Sequence, residues 1–242
     1  MATKSLAACL AVAAAALCLA PAASRGGDTV TQLWPELDVY RRLNDDARLR
    51  FSISPVCEVS GAGLRSSIDD TDFGVDLDMG LFPIGRARLE KARFDADRMK
   101  YLRFRTGIHY LNADEDAAND EWRAIAELTP RSHLSLDMTL SFRNRFDLRW
   151  IDDVYSWRYR PRLQVDREFK AWAHMAFVPY ASAELFWDSR SESWTRTLYK
   201  VGTGIAVWPW FGPQIYWAHQ IDDESSGDTI TDAIGISLIF HI

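Results

Sequence analysis

The chain has 242 residues and a formal net charge of −6, and 48% of its residues are hydrophobic. The acidic balance lacks the basic footprint of a nucleic-acid binder, so that class is excluded. Arg far outnumbers Lys, and the ten Trp residues fit interfacial aromatic girdles, or equally a soluble domain with a large aromatic core.

Residues 1–24 read as a secretory signal peptide. Lys4 forms a short basic start, residues 6–19 form an unbroken apolar run, and Ala20-Pro21-Ala22 or Ala22-Ala23-Ser24 offers a small-residue cleavage site. The run is too short for a span of about 20 residues, so removal is expected rather than anchoring. Cys9 has almost no apolar run before it and Cys18 follows Leu17, which argues against a lipoprotein signal. Residues 25–242 then form one domain with Cys57 as its only cysteine, which leaves no intrachain disulfide and no cysteine metal cluster. No later stretch is apolar enough for a transmembrane helix, so the exported chain is periplasmic, secreted or an outer-membrane barrel.

Beyond the signal, period-two alternation replaces helical periodicity almost everywhere. Strands are predicted at 32–41, 48–58, 72–81, 99–111 and 121–129. They continue at 136–151, 155–168, 174–187, 194–207, 214–221 and 230–242. Residues 89–94 are a further short strand or part of a long loop. Clusters at 45–46, 112–120, 188–193 and 222–228 read as loops. Eleven segments are clear. Single-chain bacterial outer-membrane barrels carry even numbers, so about twelve is the expectation.

The alternation separates two faces. Arg103, Arg105 and His109 oppose Leu102, Phe104 and Ile108, while Asp76 and Asp78 oppose Phe73, Val75, Leu77 and Met79. Arg143, Arg145, Asp147 and Arg149 oppose Phe142, Phe146, Leu148 and Trp150, with Asn144 the polar misfit. Arg158, Arg160, Arg162, Gln164, Asp166 and Glu168 oppose Trp157, Tyr159, Pro161, Leu163 and Val165. Strands of about ten or more residues suit a tilted membrane crossing. Trp150 with Trp157, Trp187 with Trp194, and Trp208 with Trp210 sit near strand ends. Both features favour an apolar face turned outward. Pro55, Pro161 and Pro179 lie inside predicted strands and call for bulges or strand-end positions.

The stretch from Leu140 to Phe169, then that from Val178 to Val207, resembles the domain of unknown function 2490 family. The matching pieces are Arg143-Asn144-Arg145, Asp147-Leu148-Arg149, Arg158-Tyr159-Arg160-Pro161-Arg162, Pro179-Tyr180-Ala181 and Glu184. Asp188, Arg190, Trp194 and Arg196 extend them. The resemblance implies an outer-membrane β-barrel and brings no activity and no catalytic residues. It departs at the end, where such barrels finish on Phe or Trp and this chain finishes on Ile242 with Phe240 two places before.

The candidate site is a lumen-lining charge ladder of Arg103, Arg105, Glu127, Arg143, Arg145, Asp147, Arg149, Arg158, Arg160, Arg162, Asp166, Glu168, Glu184 and Arg196. Arginine forks bind carboxylates and phosphates bidentately. The rows therefore either guide small anionic solutes or pair with Glu127, Asp147, Asp166, Glu168 and Glu184 to hold a plugged lumen together. Roughly thirteen basic groups face about eight acidic ones, a modest positive excess that would draw anions. His109, Ser135, Ser141 and Ser182 lie on the polar face without a recognised nucleophile motif. His133, His174, His219 and His241 lack metal-ligand spacing. Asp114-Glu115-Asp116 and Asp222-Asp223-Glu224 are acidic loops that either bind divalent cations bridging lipopolysaccharide or, as is more usual for such runs, are merely solvated, and Gly202 with Gly204 marks a bend rather than a phosphate cradle.

The expected molecule is all-β, an antiparallel transmembrane β-barrel of about twelve strands in the bacterial outer membrane. It carries no cofactor, no metal and no catalytic function. Its partners are outer-membrane lipid and lipopolysaccharide, and the barrel-assembly machinery acting through the strand at 230–242. A lipid-modifying enzyme and a soluble periplasmic barrel binding an apolar ligand are the alternatives.

Overall fold

The computed structural model describes residues 29–60, 63–83, 100–113, 120–134, 138–172, 175–223 and 227–242. The expected signal at 1–24 and the segment at 89–94 lie outside them, as do Ser135, His174 and the loop at 114–116. Twelve strands make up nearly all of the described chain. They are β1 Thr29–Arg42, β2 Ala47–Ser60, β3 Gly63–Pro83, β4 Lys100–Ala113, β5 Glu121–His133 and β6 Met138–Ile151, then β7 Val154–Arg167, β8 Phe169–Trp172, β9 Met175–Asp188, β10 Ser193–Ala206, β11 Phe211–Asp222 and β12 Thr229–His241. All eleven segments with clear alternation are strands. The addition is β8, whose four residues are too few for a period to register.

Each strand pairs with the next in an antiparallel meander, with β9 following β7, and β12 closes on β1. β8 pairs with β9 alone, where it continues the register of β7 along the same edge, so it adds no strand to the ring. The expected count of about twelve holds for the strands, but the ring has eleven. In a meander with an odd number of strands, the first and last run the same way. The seam is accordingly parallel, in register from Thr29–Ile230 to Tyr40–His241. It differs from the wholly antiparallel closure expected, yet it still removes both sheet edges.

The inside carries the charge. In β6, Arg143, Arg145, Asp147 and Arg149 are buried while Phe142, Phe146, Leu148 and Trp150 are exposed. Asp147 is 1% exposed and Ile108 is 59% exposed, the reverse of a water-soluble fold. Phe51, Phe73, Val75, Leu163, Leu185, Ile215, Ile236 and Leu238 continue the apolar exterior. Rings pair at one rim as Tyr110–Trp122, Trp150–Tyr155 and Trp157–Trp187. At the other rim, beside Ile242, Trp208, Trp210, Phe211 and Phe240 form one cluster. A 14-residue strand such as β9, tilted by about 40°, rises roughly 35 Å between such rims.

The prolines sit where the ladder yields. Pairing of β1 with β2 passes from Leu33–Cys57 to Leu37–Ile53, skipping Pro35 and Pro55. Pairing of β7 with β9 passes from Tyr159–Trp187 to Arg162–Glu184, skipping Pro161. Pro179 keeps its place opposite Thr203. Two glycines make room inside. A Cβ at Gly235 would stand 1.9 Å from the Tyr216 ring and one at Gly202 2.5 Å from its Cβ, so Tyr216 lies across the interior because both positions lack side chains.

Candidate functional site

Strand register decides how the lumen charges meet. Between β6 and β7 it sets Arg143 opposite Arg162, Arg145 opposite Arg160, and Asp147 opposite Arg158. Like charges directly opposite repel, so flanking strands must supply the carboxylates. β5 sets Glu127 beside Arg145, and β9 sets Glu184 beside Arg162 and Asp188 beside Arg158.

The side chains then pair across these rungs. Arg145 Nε donates to Asp147 at 2.5 Å, and Arg160 donates to Glu184 at 2.8 Å and to Asp147 at 3.3 Å. Arg143 also donates to Glu184, and its Nε stands 3.9 Å from Glu127. Arg149 grips both Glu121 oxygens, at 2.5 and 2.9 Å, and reaches over β7 to Asp188 at 2.6 Å. Arg158 shares Asp188 at 3.0 Å. Arg196 pairs with Asp222, part of the acidic loop. Phe186 lies beneath three guanidinium groups, with Arg160 nearest at 4.4 Å from its centroid.

A second network fills the side formed by β1 to β5. Arg50 holds Glu36, Asp38 and Asp76 at 2.8–2.9 Å. Asp78 receives Arg103, Arg48 at 3.0 Å and Arg105 at 3.5 Å. Arg105 also reaches the Tyr40 hydroxyl at 3.4 Å, a chord from β4 to β1. Arg123 links Glu121 to Asp72. His109 is clamped, Nδ1 to Asp72 at 2.7 Å and Nε2 to Asp76 at 3.1 Å. With both ring nitrogens engaged, it has no free nitrogen to serve a nucleophile. Glu36, Asp38, Arg50, Asp72, Glu121, Arg123 and Asp188 were not among the predicted lumen residues. For Glu36, Asp38 and Arg50 the signal was alternation in 32–41 and 48–58, interrupted by Pro35 and Pro55; Asp72, Glu121 and Arg123 alternate in the predicted strands at 72–81 and 121–129, and Asp188 fell in a predicted loop. They supply carboxylates that shrink the expected thirteen-to-eight basic excess.

The half of the barrel toward the 207–210 turn is less filled. It holds a cavity of about 340 Å³ whose lining includes Thr129, Arg131, Ser141, Arg143, Arg162, Gln164, Asp166, Glu168, Tyr180, Ser182 and Lys200. Ala176, Val178, Gly204, Ala206, Gly212 and Ile239 add an apolar part from β9 to β12. Asp166 and Glu168, expected in the ladder, therefore border this space, as do Ser141 and Ser182, away from His109. His241 lines the cavity and stacks on Tyr40. His219 bonds Asp232 at 2.9 Å and stacks on Trp217. Gly202 accommodates Tyr216 and Gly204 faces the cavity, so neither cradles a phosphate. Among the described residues no group of three His, Cys, Asp or Glu side chains is arranged to hold a metal.

The family described as protein of unknown function (DUF2490) matches residues 95–231, more than half of the chain. The chain belongs to that family. No curated protein matches it.

Proposed function

We propose that this DUF2490 protein is an outer-membrane β-barrel whose charge-paired lumen closes it to free flow, serving as a structural envelope barrel rather than an enzyme. The observation that carries the reading is the inversion of burial. Ionised side chains fill the interior, and a continuous apolar exterior lies between two aromatic rims. A barrel in water with this exterior would expose far more apolar surface than soluble monomers tolerate, whereas in lipid that face is the required one. The links from Arg149 over β7 to Asp188 and from Arg105 over β2 and β3 to Tyr40 support closure, because they hold buried side chains inside the ring. In this reading residues 1–24 direct export, and the terminal strand is what the barrel-assembly machinery receives.

The test uses neighbouring residues of opposite face in β7. Leu163 is exposed and Gln164 lines the cavity. Arginine at mid-membrane on the lipid face costs about 2–4 kcal/mol. Leu163→Arg is expected to deplete the protein from the outer-membrane fraction, while Gln164→Arg is tolerated. Equal tolerance of both would overturn the membrane reading.

A second reading, a narrow pore for small anions, is favoured by one observation. Among the described residues, Arg162 and Lys200 face the cavity with no carboxylate within ion-pair distance.

A further inference from the structure

The cavity has two unlike walls. Inward positions of β5 to β7 give it Thr129, Ser141, Arg162 and Gln164, whereas β9 to β12 add Val178, Gly204, Ala206 and Ile239, with Gln214 the polar neighbour of Gly204. The apolar side is hollow because its side chains are small. A Cβ built on Gly204 meets nothing nearer than 3.6 Å.

The cations at the junction of these walls are underused. Arg162 stands opposite Glu184 in the β7–β9 ladder, but that carboxylate already accepts from Arg143 and Arg160, and Arg162 Nε has no hydrogen-bond partner among the described residues. Lys200 stands opposite Ser182, one rung away, and its ammonium lies over the rings of Tyr216 at 4.4 Å and Trp34 at 5.3 Å. The acids that line the cavity are committed: Glu36 to Arg50 and Ser237, Glu127 to Thr129 and Arg143, and Asp166 and Glu168 to partners of their own. Two cations flanking Ser182 inside a barrel repel each other, and an anionic group between them would relieve that repulsion and gain charge-assisted hydrogen bonds. A volume of about 340 Å³ lies at the lower end of ligand pockets. It admits a head group with a short apolar body and is too small for a diacyl lipid.

We infer that this cavity binds a small amphiphilic anion, its carboxylate or phosphate held by Arg162, Lys200 and Ser182 and its apolar body laid against Val178, Gly204, Ala206 and Ile239. The inference goes beyond a closed structural barrel and assigns the chain a ligand class. Such a ligand could be acyl, released from lipid, or aryl, taken from solution; both present the same head and an apolar body.

The test is isothermal titration of the full chain in non-ionic detergent micelles, with empty micelles as the blank. The probes are octanoate, 2-naphthoate, octan-1-ol and inorganic phosphate. Octanoate or 2-naphthoate is expected to bind saturably at one site, and the tighter of the two identifies an acyl or an aryl source. Octan-1-ol and phosphate should each bind at least about tenfold more weakly, since each offers only half of the recognition. Lys200→Met and Arg162→Gln should each weaken the carboxylate by about tenfold. Gly204→Leu should abolish binding while the protein retains a cooperative melt. That variant decides the matter should a cation variant fail to fold. Heat indistinguishable from the micelle blank would overturn the inference. So would affinity unchanged in all three variants, or phosphate binding as tightly as the carboxylates.

Discussion

Glu184 is 2% exposed and accepts from Arg143 and Arg160 while Arg162 stands beside it in the ladder. Removing one partner of a buried ion pair leaves the other charge uncompensated, at a cost of about 3–5 kcal/mol, whereas removing both in favour of apolar groups is often neutral. Glu184→Gln is therefore expected to lower the unfolding midpoint in detergent markedly, and Glu184→Leu with Arg143→Met to recover only part of the loss, because Arg160 then keeps Asp147 alone and Glu127 loses Arg143. An unchanged midpoint in Glu184→Gln would mean that the network carries no stability. A smaller effect is expected at the β6–β7 turn. Asp152 and Asp153 have φ of 48° and 64°, the left-handed pair of a type I′ hairpin, where the second position favours glycine. Asp153→Gly should raise stability by up to about 1 kcal/mol, and a lowered melting temperature would count against that turn.

At the scale of the element, the terminal strand joins three parts of the structure. Ile242 N–H donates to the Tyr40 carbonyl at 2.8 Å and its carbonyl accepts from Arg42, while His241 N–H donates to the Trp210 carbonyl. Deleting residues 240–242 exposes backbone groups on both sides of the seam, and unpaired edges are not tolerated in lipid. The truncated chain is expected to be degraded before it reaches the membrane, as immunoblotting of membrane fractions would reveal. Normal levels of a heat-resistant truncated form would refute this. Strands such as β6 and β7 were legible because period two is local: each Arg and its apolar neighbour declare opposite faces without knowledge of the partner strand. The seam was not legible, because parity depends on the whole count and on a pairing between residues about two hundred apart. β8 is too short to show a period. The Tyr216 ring over Gly202 and Gly235 is likewise invisible, since nothing in either strand announces which side chain fills a glycine's space.

For the whole molecule, the question is how the charges divide the lumen. The ladder residues Arg143, Arg145 and Arg160 were readable as inward-facing, and so were the carboxylates Glu127, Asp147 and Glu184 that they meet, but the partners of the flanking arginines were not. Arg158 and Arg149 meet at Asp188, which the sequence placed in a loop, and Arg103 and Arg105 meet at Asp78 from β3. Opposite charges therefore balance through most of the barrel, and the excess is sharpest at Arg162 and Lys200. Two consequences for conductance follow. The unmodified protein in a planar bilayer should give no sustained current steps, because buried ion pairs occupy the lumen. Replacing Arg149 and Arg105 with Gly together removes the link to the Asp188 carboxylate and the link to the Tyr40 hydroxyl, and any current that results should favour anions, since the cations facing the cavity remain. That preference should shrink as salt rises, because the screening length falls from about 10 Å at 0.1 M to about 3 Å at 1 M. Adding Arg162→Gln and Lys200→Met to the opened barrel should weaken the preference further. Steady cation-selective current through the unmodified protein would contradict both the closure and the placement of the positive excess.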